Sequence, residues 1–262
     1  SAPLPGASLV VNQPVEVDVL ALLRQTLNTN SIASFQIDLT NGAGGEFVTF
    51  ASGEHATSLY RPQLRVVGVP STPRLNEDFS DGNMNGWTVV DQGDIGGPSA
   101  WSVVNGKLKQ STNIYSSGSQ SAAGRKGTFA FWNAPSAFSW SNYRLDLQIH
   151  STDDDGVGVM LYYKDANNYY RFEMDKQRGY RRLIAMSNGV ATILAEDAFA
   201  YNINQIYAFS GSVVNGVINI SLGGQPVFSN IQGVATLTSG TIAMYSWGND
   251  GSYYDNMQIT AL

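Results

Sequence analysis

Apolar and polar residues alternate along most of this chain from about residue 75 onward, with the period of strands. In "NYYRFEMD", Tyr170, Phe172 and Met174 fall on one face, while Tyr169, Arg171, Glu173 and Asp175 fall on the other. The wider run "VGVMLYYKDANNYYRFEMDKQRGYRRLIAMSNGVATILAED" breaks at Asp165-Ala166-Asn167, at Lys176-Gln177-Arg178-Gly179 and at Ser187-Asn188-Gly189. The last break carries the Asn-Gly pair that suits a two-residue hairpin turn. The pattern predicts a four-strand antiparallel meander. Further strand-like segments, "QIYAFSGSVV", "VINISLGG", "QPVFSNI", "GTIAMYSWG" and "YYDNMQITAL", follow with Gly and Asn between them. So many short strands without a helical period call for two packed sheets.

The beginning of the chain reads differently. In "PVEVDVLALLRQTL", Val17, Leu20, Leu23 and Leu27 recur at helix-like intervals, whereas "ASFQIDLTN" and "EFVTFASGE" alternate as strands. Pro70 and Pro73 then bracket Ser71 and Thr72 after the apolar "QLRVVGV". The expected organisation is a partial β-sandwich segment with one short helix over 1–70, a linker over 71–74 and the main all-β domain over 75–262. A seventy-residue piece with so few strands is marginal for an independent sandwich, which must cover both inner faces. It is expected to be completed by residues upstream or by a second chain.

Composition narrows the partners. With 15 basic against 21 acidic residues and a net charge of −6, the chain offers no electrostatic footprint for nucleic acid and no basic face for anionic lipid. No apolar run reaches the ~20 residues of a membrane-spanning helix. The absence of cysteine excludes disulfides, zinc-thiolate sites and thiol nucleophiles. Charged residues make up only 14% of a chain rich in Gly and Tyr, the palette of strands and turns. The start, "SAPLPGASLVV", lacks a basic region followed by a long apolar one, so an exported form is expected to be a mature or excised piece.

The phrases "EDFSDGNMNGW", "DDDGVGVMLYYKDANNYYRFEMDKQRGYRRL", "IAMYSWGN" and "YYDNMQIT" resemble the concanavalin A-like jelly-roll domains of bacterial secreted multimodular proteins, relatives of the laminin-G-like domains. The resemblance covers about 75–262. Separately, "VEVDVLALL", "ASFQIDL" and "FVTFASGEHATSLYRPQLRVVG" resemble the C-terminal half of the DNRLRE-type, disaggregatase-related β-sandwich. Together these imply a concanavalin A-like antiparallel β-sandwich, related also to sugar-hydrolase families, from a secreted or cell-surface bacterial protein; the expected role is non-catalytic polysaccharide recognition.

Period two places Tyr169, Arg171, Glu173, Tyr180 and Arg182 on one polar sheet surface. Aromatic faces take the C–H sides of sugars, and Arg and Glu take hydroxyls or carboxylates, so this surface is the expected ligand contact. Cross-strand Arg/Glu pairing is the competing reading. Trp247, near the turn "SWGNDG", is a further candidate for stacking, whereas Trp87 and Trp101 are expected in the core. An acidic glycan is expected if Arg171, Arg178, Arg181 or Arg182 line a groove. The resemblance also implies a structural Ca²⁺ where first and last strands run side by side, with Glu77, Asp78 and Asp255 as candidate ligands. Hydrogen bonding to backbone N–H groups is the alternative for these carboxylates. "TDDDGVG" lacks the spaced ligands of an EF-hand and reads as a turn.

Enzyme readings rest on less. His55 and His150 are the two histidines, and Gln148-Ile149-His150 resembles a short motif of jelly-roll alginate lyases, whose Arg-rich strand has no match here. Glu173 and Asp175 stand in phase, as a glycosidase pair would, yet flanking Arg171 and Lys176 favour ionised carboxylates over a general acid. A lyase or glycoside hydrolase is thus the alternative to a binding module, and a calcium-stabilised adhesive spacer is the third.

Overall fold

The computed structural model describes residues 73–117 and 123–262. The expectations for 1–70, including the helix, the partial sandwich and His55, lie outside these residues. Strands are β1 (Leu75–Glu77), β2 (Trp87–Asp91), β3 (Trp101–Val104), β4 (Lys107–Gln110), β5 (Thr128–Trp132), β6 (Tyr143–Ser151), β7 (Gly156–Asp165) and β8 (Asn168–Asp175). They continue as β9 (Tyr180–Ser187), β10 (Val190–Ala198), β11 (Ile206–Val214), β12 (Val217–Leu222), β13 (Gln225–Gln232), β14 (Thr241–Trp247) and β15 (Ser252–Ala261). One 3-10 turn, Pro135–Ser139, joins β5 to β6.

Among the described residues all ladders are antiparallel and form two sheets. The first runs β13-β12-β11-β6-β15-β4-β3, with β1 also paired to β15; the second runs β10-β9-β8-β7-β14-β5-β2. The predicted meander is β7 to β10, and its last turn carries Asn188 and Gly189 at φ 50° and 78°, the left-handed pair a type I′ hairpin needs. The described residues are an all-β, two-sheet sandwich.

The two sheets bury themselves differently. In β6, "YRLDLQIHS", Tyr143, Leu145, Leu147 and Ile149 point into the core, and Arg144, Asp146, Gln148 and His150 point outward and stay accessible. That is the pattern of a sheet with one wet face. β7 and β8 are instead buried on both faces over most of their length. Between the sheets lie Leu145, Leu147, Val159, Phe172, Leu183, Met244 and Ile259 with Trp87 and Trp140. A separate apolar cluster, Phe129, Met160, Tyr163, Tyr169, Met186 and Tyr245, covers the outer side of the second sheet. Trp101 is half-buried and stacks on Tyr254 with ring centres 6.1 Å apart.

Buried tyrosines tie the layers through their hydroxyls. Tyr143 accepts from the Tyr162 N–H at 2.9 Å and donates to the Thr241 carbonyl at 3.3 Å, while Tyr254 donates to the Tyr245 carbonyl at 2.5 Å. Burial holds the hydroxyls of Tyr143, Tyr245 and Tyr254 well above their ordinary value, and that of Tyr163 up to about 12. As pH rises past about 10 the unfolded chain releases these protons and the folded chain cannot, so stability falls. Tyrosinate absorbance is expected to appear together with loss of the β-sheet circular dichroism in one alkaline transition. Stepwise titration with the sheets intact would contradict this packing.

Candidate functional site

Register across β8 and β9 pairs Glu173 with Arg182 and Asp175 with Tyr180. Tyr169, Arg171, Glu173, Tyr180 and Arg182 therefore share the outer face of the second sheet, as the alternation predicts. That face is closed. Arg171 is 0% exposed and Glu173 1%, with Arg171 Nε 2.8 Å from Glu173 Oε2. The other guanidinium nitrogens donate to the carbonyls of Arg125 at 3.0 Å and Ala123 at 2.8 Å, from a chain segment laid across the sheet. The Tyr245 ring centre lies 4.3 Å from the guanidinium carbon. Burial works against this charge, but Glu173 and the surrounding tyrosines more than offset it and raise the Arg171 pKa.

The network continues to the domain edge. The Tyr180 hydroxyl donates to Glu173 at 3.1 Å and Asp175 at 3.3 Å. Asp175 also accepts from Arg125 at 2.8 Å and Arg178 at 3.0 Å, and Arg178 reaches Asp155 at 2.6 Å. Arg181 pairs with Asp197, and Arg182 with Glu196. Every arginine named for an acidic glycan thus already faces a carboxylate. Trp247 is half-buried, with the guanidinium carbons of Arg125 and Arg178 each 4.6 Å from its ring centre and Tyr115 at its edge.

The expected open polar surface is instead a buried ion-pair layer, because the Ala123–Arg125 backbone caps it. Tyr169, Arg171, Glu173 and Tyr180 are buried there, and Arg182 and Trp247 are partly accessible at its margin. Glu173 and Asp175, the in-phase carboxylates, are both buried and share one phenol donor, which leaves no cleft between them for a glycosidic bond.

First and last strands do run side by side, β1 on β15, with Glu77 opposite Met257. The three carboxylates suggested as calcium ligands nevertheless do not converge. Glu77 accepts from the Phe79 N–H at 2.9 Å and Asp78 from the Ser80 N–H at 3.0 Å, and Asp255 pairs with Lys107 at 2.5 Å. The Ser80 bonds hold the Asp78 carboxyl below its ordinary value. Among the described residues three carboxylates approach one another only at Asp153, Asp154 and Asp155, in the stretch read as a turn, where bends are found.

The accessible polar face belongs to the other sheet. Register aligns outward side chains in rows across strands. One row is Ile206, His150, Tyr253, Lys109 and Ser102; the next is Ala208, Gln148 and Asp255, with Lys107 bridged to Asp255. An Asn256 at φ 50° forms the bulge in β15 that keeps Tyr253 and Asp255 outward while returning Met257 to the core. Lys107, Gln148, His150, Ile206, Tyr253 and Asp255 enclose a shallow depression. The His150 and Tyr253 ring centres are 5.1 Å apart, and the Lys109 ammonium sits 5.2 Å from the centre of the Tyr253 ring. Partial burial, with Lys107 nearby, lowers the His150 pKa. No hydrogen bond to the protein occupies the side chains of Gln148, His150 or Tyr253 among the described residues.

The sequence signal for this face was present in the half-polar alternation of "YRLDLQIHS" and "SYYDNMQITA". Alternation identifies a face but not which sheet a loop will cover.

No protein-family model matches the sequence, and no curated protein matches it. Similar solved structures exist. A protein of unknown function with a galectin-like fold from Bacillus subtilis has a TM-score of 0.54 at 12% identity, over 73% of this chain and 97% of that one. The xylan β-1,4-xylosidase of Bacillus halodurans C-125 has a TM-score of 0.51 at 12% identity, over 76% of this chain but 41% of the enzyme. The carbohydrate binding module CBM66 from Bacillus subtilis has a TM-score of 0.48 at 20% identity, over 68% of this chain and 98% of that one. The likeness is one of fold.

Proposed function

We propose that the chain is a non-catalytic polysaccharide-binding module of an exported bacterial multimodular protein, and that it binds through the outer face of the first sheet. The observation that carries this reading is the row His150, Tyr253 and Lys109. It joins a partly exposed aromatic ring to polar groups with no protein hydrogen bond among the described residues, on a sheet face that these residues leave accessible. A sugar ring stacks on such an aromatic and trades its hydroxyl hydration for bonds to Gln148 and His150. Lys107 is neutralised by Asp255, whereas Lys109 has no carboxylate partner among the described residues. Its ammonium suits a uronate carboxylate, which makes acidic glycans the preferred ligands.

Affinity electrophoresis in gels containing polygalacturonate or xylan tests this. Tyr253→Ala is expected to weaken retardation about ten-fold or more, as loss of a contact worth at least ~1.4 kcal/mol does. Its melting temperature should stay within a few degrees of the parent, since the ring is on the surface. Lys109→Gln should weaken binding to polygalacturonate and spare xylan. Equal retardation of Tyr253→Ala and parent would end the proposal for this face.

Polysaccharide lyase is the second reading, with one observation in its favour: Gln148 and His150 do open together beside Tyr253. Unsaturated product released from polygalacturonate or alginate, and lost in His150→Gln, would replace the binding module with an enzyme.

A further inference from the structure

Beyond the Tyr253 depression the same sheet face continues into a second concavity of different chemistry. Ser210, Ser212, Asn219, Ser221, Pro226 and Ser229 line a hollow of ≈ 160 Å³, against ≈ 20 Å³ at the Tyr253 depression. The larger figure has room for several ordered waters, and for the ligand hydroxyls that displace them. The two regions lie on one sheet face but share no cross-strand row, the row of Ala208, Gln148 and Asp255 standing between them. Ser221, Ser210, Asp146 and Gln258 form one cross-strand row, and Asn219, Ser212, Arg144 and Thr260 form the next. Within these rows Arg144 and Asp146 neutralise each other at 2.6 Å. The hydroxyls of Ser210, Ser212, Ser221 and Ser229 have no protein partner among the described residues, in contrast to the charged groups of the closed face. The region therefore offers donors and acceptors without net charge.

From this shared face we infer that the ligand is a linear polysaccharide segment lying across the strands of the first sheet. Its inner end occupies Tyr253, His150 and Lys109, and its chain extends over a neutral subsite built from Ser210, Ser212, Asn219 and Ser221. The inference rests on the glycan-binding reading above and deepens it. The path crosses six strands, from β4 through β15, β6, β11 and β12 to β13. At ~4.8 Å per strand this is about 24 Å, the reach of several sugars and not of one terminal residue. A hydroxyl-lined, uncharged wall selects for sugar hydroxyls over charged or apolar partners, because each unpaired serine regains a bond only to another polar group.

Titration calorimetry with oligogalacturonates and xylo-oligosaccharides of increasing length, from disaccharide upward, tests it. The xylan series enters because part of a xylosidase has a similar fold. Affinity is expected to rise with length until the footprint is filled and then level off. The double variant Ser212→Val, Ser221→Val keeps strand propensity and removes two hydroxyls. It should leave disaccharide affinity unchanged and lower that of the longest oligosaccharide about ten-fold. Affinity independent of length in the parent, still lost in Tyr253→Ala, would overturn the extended subsite and leave the binding module standing. A length-dependent rise that survives in the double variant would place the extra contacts elsewhere and overturn it equally. Failure of both series, and of both polymers, to bind the parent would overturn the glycan reading itself.

Discussion

Arg171→Met is expected to destabilise the sandwich by ~3–5 kcal/mol, the usual cost of removing one partner of a buried ion pair. In a domain of this size that is a fall in melting temperature on the order of 10 °C. The cost has identifiable parts. Glu173 loses the guanidinium 2.8 Å away and, among the described residues, keeps only the Tyr180 hydroxyl, while the Ala123 carbonyl loses its 2.8 Å donor. Arg125 is spared in part, since its carbonyl still accepts from Tyr245 at 3.0 Å. Removing the second charge as well, in Arg171→Met with Glu173→Met, should recover most of the loss, because an apolar pair of similar volume replaces a buried ion pair at little or no cost. Chemical denaturation of the single and double variants measures both effects. A single variant as stable as the parent would mean that water reaches Glu173, and that the closed face opens in solution. Glycan affinity measured well below the melting transition should be the same in parent and variants, which separates this layer from the ligand face.

The sheet content was plain in the sequence because period two is a local signal that the ladders then enforce. Tyr170, Phe172 and Met174 entered the core on the side the alternation assigned, and the turn at Asn188-Gly189 formed where the left-handed pair is cheapest. Which outer face meets water was not local information. It depends on the Ala123–Arg125 backbone, some fifty residues before Arg171 in the chain, crossing the β8–β9 surface and offering carbonyls to a guanidinium. A polar face under a loop and a polar face under solvent have the same pattern of letters. The serine rows were hidden for a related reason. Ser210 and Ser221 come from strands that are paired, but their meeting with Asp146 and Gln258 requires the order β12-β11-β6-β15, in which β6 and β15 are distant in sequence. The carboxylates Glu77, Asp78 and Asp255, expected at the openings of the first and last strands, stand instead at the end of β1, just after it and within β15, and each has a nearer partner than the others.

Gly158→Ala is expected to be more damaging than any single loss of a side chain. Gly158 lies in β7 between β8 and β14, opposite Glu173 on one side and Tyr245 on the other. A Cβ at this position would stand 2.0 Å from the Phe172 carbonyl oxygen and 2.8 Å from the Glu173 Cα. Both are backbone atoms of a central strand, so neither can swing aside as a flexible side chain would. Relief requires β7 and β8 to move apart, which weakens the ladder directly beneath the Arg171–Glu173 pair and disturbs both the core face and the closed outer face. A cost above ~4 kcal/mol, or failure to accumulate as folded protein, is the expected result. Gly106→Ala makes the contrast: its φ is 70°, but nothing lies within 4 Å of the added carbon, so only the conformational cost of about 1 kcal/mol applies. Denaturant midpoints of the two variants therefore rank close approach against backbone strain. If Gly158→Ala were no worse than Gly106→Ala, the β7–β8 spacing would have slack, and the buried ion-pair layer above it would not be the rigid, solvent-excluding element that separates the closed face from the accessible one.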